Sequence, residues 1–278
     1  MKYTLLSADE IDNIKSFLSE DDYEGFMENP FRYAVCAIDD NKLLGVGIFD
    51  AKKVAEILDI IVTDDMRGQI ENKIINRIVA VCDMLNCSGV TMDVYDEDGA
   101  LFYDELLRAE DFAHVSASTI YRFDLSDLDN NPILSKANPG NNIISLDEAD
   151  EQMKRVLSNE LIRSGSYDHF MNEDHDPYMS VVCVENNAIT GCVLVDDLQD
   201  EYGFELAYLY SQKGTNPANV IKMLSGALDR VNARYSLPDA VGYITSMNEV
   251  SDNLVRKVLP GAHIDDHINR YAYTRTLS

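Results

Sequence analysis

The chain is 278 residues long, 46% hydrophobic, with a formal net charge of −26 at pH 7. That length suits two domains of about 140 residues, and the apolar content can fill a core in each. The charge argues strongly against nucleic-acid and anionic-membrane partners, because phosphate groups repel a polyanion. It is compatible with cationic small molecules such as amines.

In chain order, residues 2–6 predict a strand and not a signal peptide, and a cytoplasmic protein is expected. No apolar run reaches the roughly 18–20 residues that span a bilayer. Ser7 to Glu10 have the pattern of a helix start, and the helix continues through Ile11, Ile14, Phe17 and Leu18. A second short helix is expected around Tyr23 to Met27. Residues 33–38 and 43–49 predict a hairpin closed by a turn at 39–42. Residues 54–62 have the apolar density of a buried strand. Residues 63–69 form a short polar turn, after which Ile70, Ile74, Ile75, Ile78, Val79, Cys82 and Leu85 recur at helical spacing. A strand at 89–94, a helix at 100–107 and two strands at 112–118 and 119–125 finish this half. Residues 126–142, polar and carrying Pro132, Pro139 and Gly140, read as a linker.

The pattern then starts again. Residues 143–150 match 5–12 at a shift of 138. Tyr167, Phe170 and Met171 match Tyr23, Phe26 and Met27 at 144. Residues 182–191 match the hairpin 36–45 at 146, and residues 205–210 match 56–61 at 149. Asn216 is placed as an N-cap with Pro217 at the first helical position, followed by a helix at 219–231. A strand at 242–246, a helix at 253–259 and strands at 263–268 and 270–277 complete the second half. Slowly growing shifts mean one fold used twice with loop insertions. The expected domains are residues 1–125 and 143–278, joined by 126–142, each an α/β domain with a mixed sheet and helices on both faces. The five cysteines, Cys36, Cys82, Cys87, Cys183 and Cys192, form no C-x-x-C pair and read as buried free thiols.

The stretch 54–69 organises the chain. A buried strand that turns through Arg67 and Gly68 into an amphipathic helix presents backbone N–H groups beside a helix N-terminus, a site suited to phosphate oxygens. The order Ala55-Glu56-Ile57, then the end of the strand, then Arg67-Gly68, resembles the cofactor core of the GNAT (GCN5-related N-acetyltransferase) superfamily of acyl-CoA N-acyltransferases. With the repeat, the resemblance is to a tandem GNAT protein, each domain a mostly antiparallel mixed sheet with helices on both faces.

The resemblance implies an N-acyltransferase that moves an acetyl group from acetyl-CoA to a primary amine, on a small molecule or a peptide. It implies pantetheine pairing at Ile60, Ile61 and Val62, and pyrophosphate binding at Arg67, Gly68, Gln69, Ile70, Glu71 and Asn72. The family's loop reads Arg/Gln-x-x-Gly-x-Gly/Ala. Here Ile70 and Asn72 fall at the small positions, or Glu71 does if the loop is one residue shorter and Ile70 faces the core. Glu56 is the candidate general base, since a protonated amine has no lone pair with which to attack. Asp59 faces the opposite side in an unbroken strand, and a bulge would re-aim it. Tyr103, in 100–107 followed by Phe112, resembles the family's thiolate-protonating tyrosine. Val255 is its expected counterpart in the second half. That half has neither Arg nor Gly at 216–221 and is expected to be vestigial. The alternative reading is a catalytically inactive GNAT-fold binding or regulatory module with a decayed cofactor loop. His263 to His267 fall in an expected hairpin, and no metal site is expected.

Overall fold

Residues 1–96, 99–128, 131–134, 136–164, 175–198, 203–235 and 240–274 are described in this computed structural model. In chain order the elements are β1 (Lys2–Leu6), a 3₁₀ helix (Ala8–Phe17), α1 (Glu20–Glu28), β2 (Arg32–Asp39), β3 (Lys42–Asp50), β4 (Ala55–Val62), α2 (Glu71–Met84), β5 (Gly89–Tyr95), α3 (Ala100–Ala109) and β6 (Ala113–Asp124). There follow β7 (Ile143–Ser145), α4 (Glu151–Ser164), β8 (Val181–Glu185), β9 (Ala188–Leu198), β10 (Gly203–Ser211), α5 (Ala218–Tyr235), β11 (Val241–Ser246), α6 (Glu249–Val258) and β12 (His263–Thr274). The expected short helix at Tyr167 to Met171 lies outside the described residues.

Both hairpins turn on residues that tolerate positive φ. Asp40 and Asn41 close one, at 45° and 62°, and Asn186 and Asn187 close the other, at 52° and 61°. Two such residues in succession give the turn whose twist matches the flanking strands.

The chain forms two units, and they differ from the sequential halves. One takes Met1–Ala117 with the segment from His267 onward; the other takes Ser118–Asp266. Strand order in the first is β1-β2-β3-β4-β5-β12, and in the second β6-β11-β10-β9-β8-β7. Pairing is antiparallel in the first unit except β4 with β5, and in the second except β10 with β11. Each unit therefore borrows its final strand from the far half of the sequence. β12 pairs with β5 from Ile268↔Tyr95 to Thr274↔Gly89, and β6 pairs with β11 from Thr119↔Ser246 to Asp124↔Val241. β4 and β5 share only three register pairs, so the other edge of β5 depends on this partner.

Three further expectations are corrected. The paired strands expected at 112–125 and 263–277 are single twelve-residue strands, β6 and β12. Neither contains Gly or Pro to break it, so Asp265 and Asp266 lie in a strand and not in a turn. The first helix is 3₁₀, and Ser7 makes no side-chain cap. Within 126–142, Leu134 is buried in the core of the second unit, and the Asn131 side chain donates to the Val258 carbonyl while accepting from the N–H groups of Ile133 and Leu134.

Helices cover both faces of each sheet. In the first unit, α2 and α3 bury Ile57, Val90, Met92 and Val94 on one face. The 3₁₀ helix and α1 bury Val46 and Ile48 on the other. Gly47 allows α2 to press onto β3, where a Cβ would stand 2.4 Å from Ile74 Cγ2. All five cysteines are unpaired and buried. Burial pushes the thiols of Cys36, Cys82 and Cys192 up to about 12.

The borrowed strand is latched in the same way in both units. Tyr271 Oη donates to Asp104 Oδ1 at 2.5 Å, and Arg108 Nε donates to the same oxygen at 2.7 Å. In the second unit Tyr121 donates to Asp252, Arg256 Nε donates to Asp252 Oδ2 at 2.8 Å, and the guanidinium lies over the Tyr121 ring. Tyr121→Phe and Tyr271→Phe each remove one charge-assisted hydrogen bond from a buried phenol. Each is expected to lower the midpoint of thermal unfolding by about 2–4 °C, read by calorimetry.

Candidate active site

The site is set by a defect in β4. Register with β3 runs Ile48↔Asp59 and then Phe49↔Ile57, so Leu58 is an extra, bulged residue. The bulge puts Asp59 on the same face as Glu56, opposite Ile48. Parallel pairing of β4 with β5 ends at Ile57↔Met92. From Leu58 onward β4 is laddered to β3 alone. The Thr63 N–H bonds Leu44 O on the β3 side, so alternation turns the N–H groups of Ile60 and Val62 toward the gap. The Ile60 N–H is held by its neighbour's carboxylate, Asp59 Oδ1, at 2.7 Å.

The gap is a cleft of about 620 Å³. Four consecutive β5 residues, Met92 to Tyr95, line it. Successive strand residues point to opposite faces, so the cleft is a slot through the sheet. Tyr103 and Phe102 of α3 stand on one side, their rings edge to face at 5.2 Å, with Arg67 and Glu71 from the loop into α2. Asp59 and Asp93 stand on the other. Glu56 shares that second face, since it pairs across from Asp50 on β3 and Thr91 on β5. The slot thus has Tyr103 at one mouth and the Glu56 face at the other.

Arg270, carried in on β12, joins the carboxylates. Its Nε and Nη2 donate to Asp93 at 2.7 and 2.5 Å, and Nη2 lies 3.8 Å from Glu56 Oε1. Burial raises the Glu56 carboxyl above the usual carboxylate range, Arg270 opposes that rise, and the Asp93 charge adds to it. A carboxylate raised in this way is a stronger base than a fully solvated one. Asp93 and Arg270 are absent from the residues singled out by sequence. The two lie 177 positions apart, and no local pattern ties them together.

The loop into α2 is closed by its own side chain. Ile70 is fully buried on the core face. Glu71 is 2% exposed. Its carboxylate accepts from the Gly68 N–H at 2.7 Å and from the Ile70 N–H at 3.1 Å. The Gln69 N–H bonds Met66 O. Gly68, at φ 77°, makes the turn. A carboxylate at a helix start is favoured by the helix dipole, and here it fills the place where an anion would sit. Gln69 and Asn72 are not among the residues lining the slot.

The second unit repeats the geometry with different chemistry. Its β10–β9 register carries an extra residue between Glu205 and Tyr208, and parallel pairing with β11 ends at Glu205↔Tyr243. Glu205 is the counterpart of Glu56. Burial raises its carboxyl, and Thr245 Oγ1 donates to it at 3.1 Å. The latch residues Asp104 and Arg108 correspond to Asp252 and Arg256 at a shift of 148 (252 − 104). Tyr103 therefore corresponds to Ser251, not Val255; Val255 is buried and matches buried Leu107.

Among the described residues no helix is long and apolar enough to cross a membrane, and no group of three His, Cys, Asp or Glu residues is arranged to hold a metal ion.

No protein-family model matches the sequence, and a search of curated proteins finds no match. Solved structures do match. A tandem GNAT protein from the clavulanic acid biosynthesis pathway superposes with a TM-score of 0.68 at 10% identity, over 100% of this chain and 99% of that one. A GCN5-related N-acetyltransferase from Sphaerobacter thermophilus gives 0.60 at 12% identity, over 98% and 95%. A probable N-acyltransferase from Enterococcus faecalis gives 0.60 at 12%, over 98% and 72%.

Arg270→Gln removes the larger of the two cationic influences on Glu56, the other being Lys52, while leaving its burial. The Glu56 carboxyl midpoint is expected to move further up in a carbon-13 carboxyl titration. An unmoved midpoint would mean that the guanidinium does not face this carboxylate in solution.

Proposed function

We propose, from the tandem GNAT fold that this chain carries, that it is an N-acyltransferase moving an acetyl group from acetyl-CoA to a cationic primary amine. The observation that supports this reading is the slot through the first unit, with a phenol at one mouth and a raised carboxyl at the other. Acetyl-CoA would supply an activated thioester carbonyl. The residues that would hold it are the β4 edge at Ile60 to Val62 for its slender arm, and Arg67 with the backbone of 67–72 for its diphosphate. The slot has room for the arm and its edge turns the Val62 N–H toward it, while the Ile60 N–H is held by Asp59 Oδ1. The loop fits the diphosphate only after the Glu71 carboxylate leaves the N–H groups of Gly68 and Ile70.

Asp59 and Asp93 draw an ammonium group toward the Glu56 face, and Glu56 takes its proton. The neutral amine gains a lone pair and can attack a carbonyl presented through the slot. On the opposite face the Tyr103 phenol can give its proton to a departing thiolate. Proton removal and proton delivery are thereby separated by the thickness of the sheet.

The position of Glu71 favours a second reading, a GNAT-fold module that no longer takes the acyl donor. The two readings part on calorimetric titration of acetyl-CoA and free CoA. For the enzyme, Glu71→Ala is expected to tighten CoA binding by about tenfold, since a carboxylate competing for two N–H donors is worth roughly 1–3 kcal/mol. Arg67→Glu is expected to weaken it. Glu56→Gln and Tyr103→Phe are each expected to lower kcat/KM by about 10²–10⁴. No CoA binding at millimolar ligand to either the wild type or Glu71→Ala would leave the module reading.

A further inference from the structure

The slot of the second unit is the strongest unassigned feature of the molecule. It is a cavity of about 230 Å³ between β10, β11, α5 and α6, walled by Leu206, Leu224, Leu228, Ile244, Leu254 and Val258. None of its fifteen lining residues is Asp, Glu, Lys, Arg or His, in a chain with 26% charged residues. We propose that this cleft binds a short linear apolar molecule with an uncharged amide head. The proposal stands independently of acyl transfer by the first unit.

Three observations define the ligand class. An ion entering this cavity would lose its hydration shell and find no opposite charge, whereas an alkyl chain would exchange water for aliphatic walls. One wall is a strand edge: β10 runs on to Ser211 laddered only to β9. The Gln212 N–H bonds Thr190 O on the β9 side, so alternation turns the Leu209 N–H toward the slot, where it can bond an amide carbonyl. Among the lining residues Met247 is 55% exposed, an apolar threshold for an apolar guest.

A nucleotide-bearing ligand lacks a cradle here. Pro217 has no N–H. The Ala218 N–H is taken by Asn216 Oδ1 at 3.0 Å, and the Asn219 N–H by Asn216 O at 2.9 Å. The Asn219 side chain is committed to Glu185 Oε1 at 2.8 Å. The start of α5 is thus satisfied from within the loop, and what the unit offers a guest is an uncharged slot.

The test uses the full chain and octanamide, titrated calorimetrically, with the Met247 methyl followed by carbon-13 NMR. Binding is expected with a Kd of about 1 mM or tighter, as suits a ligand of about ten non-hydrogen atoms, together with a shift of the Met247 signal. Octylammonium and octanoate, which carry charged heads, are expected to bind about tenfold more weakly. Ala207→Leu, which fills the slot, should weaken octanamide by about tenfold. The Met247 shift is read on the wild type, so a poorly folded variant does not compromise the test. The proposal is overturned by the absence of a Met247 shift at saturating octanamide, by equal binding of the charged homologues, or by displacement of octanamide from Met247 by free CoA. Acyl transfer by the first unit would be untouched by any of these results, because it is read separately through Glu71→Ala and Arg67→Glu.

Discussion

A parallel strand pair held at three register points is a weak seam, and both units are built around one. A single extra residue in the central strand, Leu58 in one unit and its equivalent before Tyr208 in the other, turns the strand's later residues away from the parallel neighbour. The sheet opens there without losing its other edge, because the antiparallel hairpin partner continues past the bulge. The slot, the strand edge that faces it, and the shared face of Glu56 and Asp59 all follow from that one insertion. Were β4 regular, Asp59 would turn to the face covered by α2 and α3.

The two slots lie beside the same strand defect and have opposite chemistry. The first is lined by Asp22, Asp59, Asp64, Glu71 and Asp93 with Arg67 as the one cation among the lining residues. The second carries no charged side chain. A low-dielectric slot selects ligands by charge more sharply than by size. The same strand defect therefore carries charged side chains in one unit and uncharged ones in the other.

Glu71 shows how a binding loop can be satisfied from inside. Backbone N–H groups at a helix start need acceptors. In the first unit a buried carboxylate supplies them, and in the second Asn216 does. Both solutions stabilise the helix start, and both remove donors that a phosphate would otherwise use. The difference is reversibility. A side chain on the first helical turn can rotate out, while Pro217 has no N–H to restore.

Much of this was legible in the sequence. Strand and helix periodicities, the paired positive-φ turn residues and the order of elements repeated at growing shifts fix a tandem α/β fold. Local physics is sufficient for this, since a buried strand, an amphipathic helix and a two-residue turn each need only neighbouring residues. Glu56, Tyr103 and the eroded loop at 67–72 were visible for the same reason. The exchange of β6 and β12, the Tyr–Asp–Arg latches, the pairing of Arg270 with Asp93, the match of Tyr103 to Ser251 and the capture of Gly68 and Ile70 by Glu71 were decided only by the tertiary structure. Each depends on which strand occupies a neighbouring edge or which way one side chain turns. Those are long-range choices, and the sequence encodes them only through the packing of the whole chain.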